Sequence, residues 1–307
     1  MAILPLVSIV VPAYNHAGYL AEAIDSVLAQ DYPNVELIVL DDGSTDNTAE
    51  VLHRYGDAFH WETHANMGQA STLNKGWAMA KGEVLSYLSA DDVLQPNAVS
   101  SIVPLLYGDV VMAYCDFDLI DSASIKIRRV EAPNFSYVAM LRDFVCQPGP
   151  GAFMTRAAYE QVGGWNNTLR QLPDLEYWLR LGLVGRFVRV PEVLAGFRVH
   201  EESQTFSAAS IDKAEEPLRV VRAIFEDQRF PSQLMGLKRH AVSNAWLLVA
   251  QLHLRAGRVV LGLHALKQSI FSFPPNVLSL RFFKVIANAI ANKFFHRLLR
   301  RLRGALG

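Results

Sequence analysis

The stretch VSIVVPAYNHAGYLAEAIDSVLAQDYPNVELIVLDDGS, residues 7–44, changes its period twice. VSIVVP is a short β-branched run. YLAEAIDSVLAQ then sets Leu20, Ile24, Val27 and Leu28 on one helical face, and VELIVL is apolar and β-branched again. A strand, a helix and a strand in this order imply a βαβ unit whose two strands run parallel. Each strand stops at a polar cluster, AYN after the first and DDGS after the second.

The alternation continues through the next sixty residues. TDNTAEVLHRY reads as a capped helix, FHWETH as a weaker strand, and GQASTLNKGWAMAKG as a helix closed by Gly82. VLSYLSADD is a further apolar strand, and QPNAVSSIVPLL is helical with Pro96 suited to its first turn. Ligands of open α/β sheets sit beyond the carboxyl ends of the strands. Three polar clusters fall at such ends: AYN, DDGS and SADD.

After residue 110 the pattern is less regular. VVMAYCDFDLIDSASIKIRRV looks like a hairpin, NFSYVAMLRDFV like a helix, and QPGPGAFMTR like a Gly/Pro loop entering a strand. DLEYWLRLG is a short helix, and RFVRVPEVLAGFRVH holds one or two strands. From about residue 212 onward almost everything reads as helix, broken at Pro231 and at FPP, 273–275. There is no internal repeat. The expected division is an α/β domain over residues 1–210 and a helical, basic region over 211–307.

A chain of 307 residues with 51% apolar and 19% charged residues is a folded globular protein, not a low-complexity chain. Two cysteines, Cys115 and Cys146, are too few for a disulfide framework and suggest a reducing compartment. The apolar start, MAILPLVSIVVP, has no basic n-region and no cleavage site, so it reads as a buried strand and not a signal peptide. The near-zero net charge conceals an asymmetry. Thirteen of the 29 Lys and Arg lie in residues 228–307, which hold none of the 30 Asp and Glu. Such a split suggests two regions that face different partners.

Two adjacent carboxylates, Asp91 and Asp92, repel one another and have no cation nearby in the chain. They could simply cap the following helix. The functional alternative is a hard divalent cation, Mg²⁺ or Mn²⁺, whose remaining positions take water and substrate phosphates. DDGS, Asp41 to Ser44, is either a turn entering a helix or an acceptor of nucleoside N–H and ribose hydroxyl groups, with Gly43 admitting the ligand to the backbone.

Seven blocks in order resemble the family 2 glycosyltransferases of GT-A fold: VSIVVPAYN, VELIVLDDGSTDNT, NMGQASTLNKGWAMAKG, YLSADDVLQP, GAFMTRAAYEQVGGW, PDLEYWLRL and FRVHEESQT. The resemblance spans about residues 5 to 206. It implies a Rossmann-like, mainly parallel sheet flanked by helices, with the C-terminal helices as an extension. It places Pro12, Ala13, Tyr14 and Asn15 around the nucleotide, Asp41 and Asp42 on base and ribose, and Asn74 in the helix lining the donor. Asp91 and Asp92 match the metal-and-diphosphate motif, Asp92 as the direct ligand, and His200 matches a histidine near metal and diphosphate. Asp174 matches the catalytic base. Many relatives carry Asp at Ser89, Arg at Leu73 and Glu at Pro173; the resemblance implies that the last departure falls on the acceptor side.

Asp174 is also supported by its setting: Pro173 suits a helix start, and the dipole of the first turn favours an ionised carboxylate. Leu175, Trp178 and Leu179 would hold that turn on the core; the plainer alternative is that Asp174 only caps its helix. Gly151, Trp165 and Pro173 are expected on the acceptor side, Trp165 offering a ring face to sugar C–H groups. The expected reaction is inverting transfer from a nucleotide sugar, UDP by family analogy, to a hydroxyl of a saccharide or lipid-linked saccharide of the cell surface. The expected location is cytoplasmic and peripheral, with LRFFKVIANAIANKFFHRLLRRLRGALG as an interfacial helix on an anionic membrane. A packed helix pair with a basic edge is the alternative. Nucleic acid is disfavoured by the acidic N-terminal region. A sugar-phosphate nucleotidyltransferase would need a Gly-rich basic loop after the first strand, which PAYNHAG is not. A non-catalytic sugar-nucleotide-binding membrane module would not need Asp174, Asp91, Asp92 and His200 together.

Overall fold

The computed structural model describes residues 4–200 and 209–288. The residues EESQT of the last motif block and the basic stretch 289–307 lie outside them. The chain divides into two units, Met1–Tyr137 with Cys146–Gln204, and Val138–Val145 with Thr205–Gly307.

The first unit is built on one sheet. Its opening βαβ stretch forms β1 (Val7–Ala13), α1 (Ala17–Leu28) and β2 (Val35–Asp41), and continues through α2 (Thr48–His53), β3 (His60–Thr63), α3 (Gln69–Met79) and β4 (Val84–Tyr87). All seven residues of β1 are buried, as expected of a strand covered on both faces and paired on both edges. It pairs in parallel with β2 and β4, and β2 pairs in parallel with β3. Leu20, Ala23, Ile24 and Val27 form the buried stripe of α1; Leu28, expected on it, lies off it and is exposed.

Beyond β4 the sheet is mixed. After β5 (Val93–Leu94) and α4 (Ala98–Ile102), the expected hairpin appears as β6 (Val110–Ile120) and β7 (Lys126–Val130). Helix α5 (Tyr137–Asp143) is followed by β8 (Phe153–Thr155), α6 (Arg156–Val162), α7 (Pro173–Leu181) and the single long strand β9 (Arg186–Arg198). Strand β8 lies antiparallel between β4 and β6, while β9 runs parallel to β6 and antiparallel to β5. Among the described residues the order is β3-β2-β1-β4-β8-β6-β9-β5, with β7 beside β6. The strand after residue 110 thus returns against β4 through the short β8. This leaves the ends of β1, β2 and β4 pointing the same way.

The second unit holds α8 (Ile211–Glu226), α9 (Lys238–Arg255) and α10 (Val259–Ser272). Its core contains Leu247, Val249, Ala250, Leu266, Phe282 and Val285. A buried polar network crosses it: Asn276 Nδ2 donates to Ser243 Oγ at 2.8 Å and to Asn244 Oδ1 at 3.0 Å, and Ser243 Oγ donates to the Ser269 carbonyl at 2.8 Å. Residues 138–145 belong here although they interrupt the first unit in sequence. Asn244 Nδ2 donates to the Arg142 carbonyl at 2.7 Å, and Arg281 donates to that of Asp143.

Candidate active site

Three loops after parallel strands are tied into one rim. Asn15 has a left-handed backbone, φ 54°; its amide donates to Ser44 Oγ at 2.8 Å, and its Oδ1 accepts from Thr45 N–H at 2.7 Å. Asp42 sits at the end of β2 and accepts from the amides of Met67 and Gly68, at 2.6 and 2.9 Å. The loops after β1, β2 and β3 are therefore hydrogen-bonded to one another. Gly43, φ +73°, is needed for the same reason: a Cβ there would stand 2.9 Å from Asn66 N and 3.0 Å from the His64 carbonyl. The backbone that approaches Gly43 is the chain's own, from residues 64–66.

The two acidic residues of that rim differ. Both carboxylate oxygens of Asp42 are taken by backbone amides, so it holds the rim. Asp41 is 1% exposed; its Oδ1 accepts from Ser44 N–H at 3.0 Å, and its Oδ2 is buried without a hydrogen-bond partner. An unpaired buried acceptor costs about 1–3 kcal/mol, which a ligand donor arriving there would recover. Pro12 and Ala13 end β1 and are buried, while Tyr14 stands exposed beyond them.

Asp91 is partly exposed and meets two histidines. His200 Nε2 lies 3.0 Å and His16 Nε2 3.9 Å from Asp91 Oδ2, and one ligand atom from each of the three fits within 4.8 Å. Nδ1 of His16 is buried without a partner. One carboxylate and two imidazoles suit a divalent transition ion well, and the oxygen suits Mg²⁺. The residues fit a cation. His16, inside the loop AYNHAG, was not singled out by the sequence; its position three residues after the end of β1 was the available signal.

Asp92 is not part of that group. It is 3% exposed, its Oδ1 accepts from the Arg198 amide at 2.9 Å, and burial with the neighbouring Asp91 charge holds its carboxyl well above the usual range. It lines a pocket of about 100 Å³ with Tyr87, Ser89, Phe197 and Asp174, closed on one side by residues 148–150. The fully buried Arg198 braces this wall: its Nε donates to the Asp91 carbonyl at 2.7 Å and its Nη2 to Glu22 at 2.7 Å.

Asp174 occupies the first turn of α7 behind Pro173 and accepts from the Leu175 amide at 2.8 Å. Leu175, Trp178 and Leu179 are buried, as expected, and anchor the turn. Burial pushes the Asp174 carboxyl above its ordinary value, a tendency that the adjacent amides and the Cys146 thiol oppose.

Four residues expected at the donor or acceptor, Asn74, Trp165, Gly151 and Pro173, are packed within the chain. Asn74 pairs with the Trp165 backbone on both atoms, Nδ2 to its carbonyl at 2.8 Å and Oδ1 from its amide at 2.7 Å. Trp165 is 5% exposed, its ring set edge-on to Tyr87 at 5.0 Å and Trp77 at 6.2 Å, so the open face expected of it is absent. Gly151 is buried, and a Cβ there would come within 2.8 Å of Cys115 Sγ. Pro173 is buried at the helix start, and Leu73 is wholly in the core.

Residues 8–163 match the family described as Glycosyl transferase family 2. An uncharacterized glycosyltransferase of Rickettsia typhi is 35% identical over 214 residues, which cover 66% of this chain and 67% of that one. Among solved structures, TarS 1–349 of S. aureus in complex with UDP-GlcNAc superposes with a TM-score of 0.61 at 15% identity, over 88% of this chain and 92% of that one. The mannosyltransferase PcManGT of Pyrobaculum calidifontis, in complex with GDP-Man and Mn²⁺, superposes with a TM-score of 0.60 at 20% identity, over 95% and 81%.

Proposed function

Since the chain belongs to glycosyl transferase family 2 and has the GT-A fold, and is thus a glycosyltransferase, we propose that it transfers a sugar from a nucleotide-sugar donor with inversion, using Asp174 as base. The observation that carries this reading is the junction at residues 91 and 92. Asp91 faces His16 and His200 on one side, and Asp92 shares a pocket with Asp174 on the other.

Asp41 Oδ2 accepts from the nucleoside, in a rim that Asp42, Asn15 and Gly43 hold in place. Pro12, Ala13 and Tyr14 flank the nucleotide. Asp91, His200 and His16 would hold Mg²⁺ or Mn²⁺, which when bound would offset charge developing on the leaving diphosphate. The Mn²⁺ of the PcManGT complex supports this assignment, as the sugar nucleotides of both solved relatives support the donor class. Asp174 accepts the proton of an acceptor hydroxyl seated in the 100 Å³ pocket while that oxygen attacks the anomeric carbon. A carboxyl raised by burial is a stronger base than an exposed aspartate once ionised. A single displacement needs no second carboxylate nucleophile.

We take the donor to be a UDP-sugar and the acceptor a saccharide, free or lipid-linked, used in surface polysaccharide assembly at the inner face of the membrane. The wholly basic C-terminal region supports the membrane side of this reading. Among the described residues no helix is long and apolar enough to cross a bilayer.

The test is donor turnover and UDP binding with Mn²⁺. Asp174→Asn should bind UDP as tightly as the unaltered chain and lose transfer by about 10² or more. Equal transfer by this variant removes the base assignment.

A further inference from the structure

Helix α10 is built with its bulk on the side away from its own unit. The residues it buries are Gly262, Ala265, Leu266 and Ser269, three of them small. On the opposite side, at helical spacing, stand Val260, Leu263, Lys267 and Phe271, all exposed, Val260 at 81%. An ordinary amphipathic helix has the reverse arrangement, large apolar residues inward and polar ones outward. The pattern continues past the helix: Leu278 and Leu280 are each 79% exposed, and Phe283 is exposed beside Lys284. So many large side chains open to water in 25 residues mark a contact surface.

The charge around this face selects its partner. Residues 228–307 contain no Asp or Glu. The Lys267 ammonium lies 5.5 Å from the centre of the Phe271 ring, so cation and aromatic share one face. A protein partner would ordinarily meet both signs of charge. A surface that is apolar with cations only complements acyl chains beneath anionic headgroups.

We propose that the outer face of α10, with Leu278, Leu280 and Phe283, inserts shallowly into a bilayer containing anionic lipid. This goes beyond the transfer reaction and places the contact in residues 259–284, not only in the more basic stretch after residue 288. Insertion of the long side chains gives apolar contact, and Lys267 and Lys284 remain at headgroup level.

Sedimentation of the full chain with vesicles of phosphatidylcholine and phosphatidylglycerol (three to one), and of phosphatidylcholine alone, tests this. The unaltered chain should pellet with the mixed vesicles and much less with the neutral ones. The triple variant Val260→Asp, Leu263→Asp, Phe271→Asp should partition about tenfold less or weaker, with donor turnover unchanged because no catalytic group is touched. Equal pelleting of the two proteins, or no pelleting of either, overturns the proposal. So does an unaltered chain that elutes as a dimer and a triple variant that elutes as a monomer, since a second copy would then cover the face. Should the triple variant fail to fold, Phe271→Trp keeps the face intact: its emission should move to shorter wavelength with the mixed vesicles, and no shift is equally fatal. Absence of donor turnover in the unaltered chain, with sedimentation of both proteins as expected, would count against the catalytic reading alone.

Discussion

Asp174 must be ionised to act as a base, yet its surroundings favour the protonated form, burial being the largest influence. Two consequences carry opposite signs. Transfer should rise with pH through a carboxyl group titrating above the ordinary aspartate value of about 3.9, so the acid limb of the rate profile lies higher than for an exposed aspartate. Stability moves the other way. A group whose folded pKa exceeds its unfolded one contributes stability that is fully present below the unfolded pKa and is lost as pH rises through the folded pKa. Asp174→Asn removes that loss, so the melting temperature of the variant should equal or exceed that of the unaltered chain at pH 8, and its advantage should shrink toward pH 4. Thermal melts at several pH values check this; an advantage that grows as pH falls contradicts the burial argument. The junction at 91 and 92 gives a second residue-level test. His16→Ala should weaken Mn²⁺ binding in the presence of UDP by about 10- to 100-fold, the range seen when groups around a metal are lost. Asp92→Asn, whose Oδ1 still accepts from Arg198, should leave Mn²⁺ affinity within about threefold, whereas the sequence alone made Asp92 the direct ligand. Calorimetric titration separates the two; a large loss from Asp92→Asn returns the ligand role to that residue.

At the scale of elements, the strands could be read because buried parallel strands are apolar throughout, and VSIVVPA is buried at every position. Helix α7 showed its inward stripe in the same direct way and α1 did so apart from Leu28, and the alternation of periods revealed the parallel half of the sheet. What could not be read was where polar side chains are spent, because the partners lie far off in sequence. Asp42 closes on amides 25 and 26 residues later, and Asn74 on a backbone 91 residues later. Both were expected at the donor, and the fold also uses both as clamps. Trp165 was misjudged for a related reason: Tyr87 and Trp77, which cover it, come from two other elements. The assignment of residues 138–145 to the helical unit is of the same kind, since nothing in SYVAMLRDFV names its partner. Asn74→Ala leaves the Trp165 amide and carbonyl without their partner, costing about 1–3 kcal/mol. Urea unfolding of this variant should move to a lower midpoint while UDP affinity stays within about twofold. A normal midpoint with poor UDP binding would restore the donor-side role.

At the scale of the whole molecule, among the described residues the hydrophobic cluster around the sheet and the one between α9, α10 and the turns after them have separate memberships. Units with their own cores open as separate cooperative blocks, so a single unfolding free energy is not the right description of this chain. Every residue proposed to touch donor, cation or acceptor belongs to the first unit. A ligand stabilises only the state that binds it, by RT ln(1 + [L]/Kd), or about 2.7 kcal/mol at one hundred times Kd. For a unit of roughly 200 residues that corresponds to about 5–10 °C. Differential scanning calorimetry of the full chain should therefore show two transitions. UDP with Mn²⁺ should raise one of them by that amount and leave the other in place. Val249→Ala, which cuts the helical core by two methyl groups, should lower only the unmoved transition, by about 1–3 kcal/mol. A single transition, or equal movement of both on adding nucleotide, would mean that the two cores behave as one and that the binding site draws on residues of each.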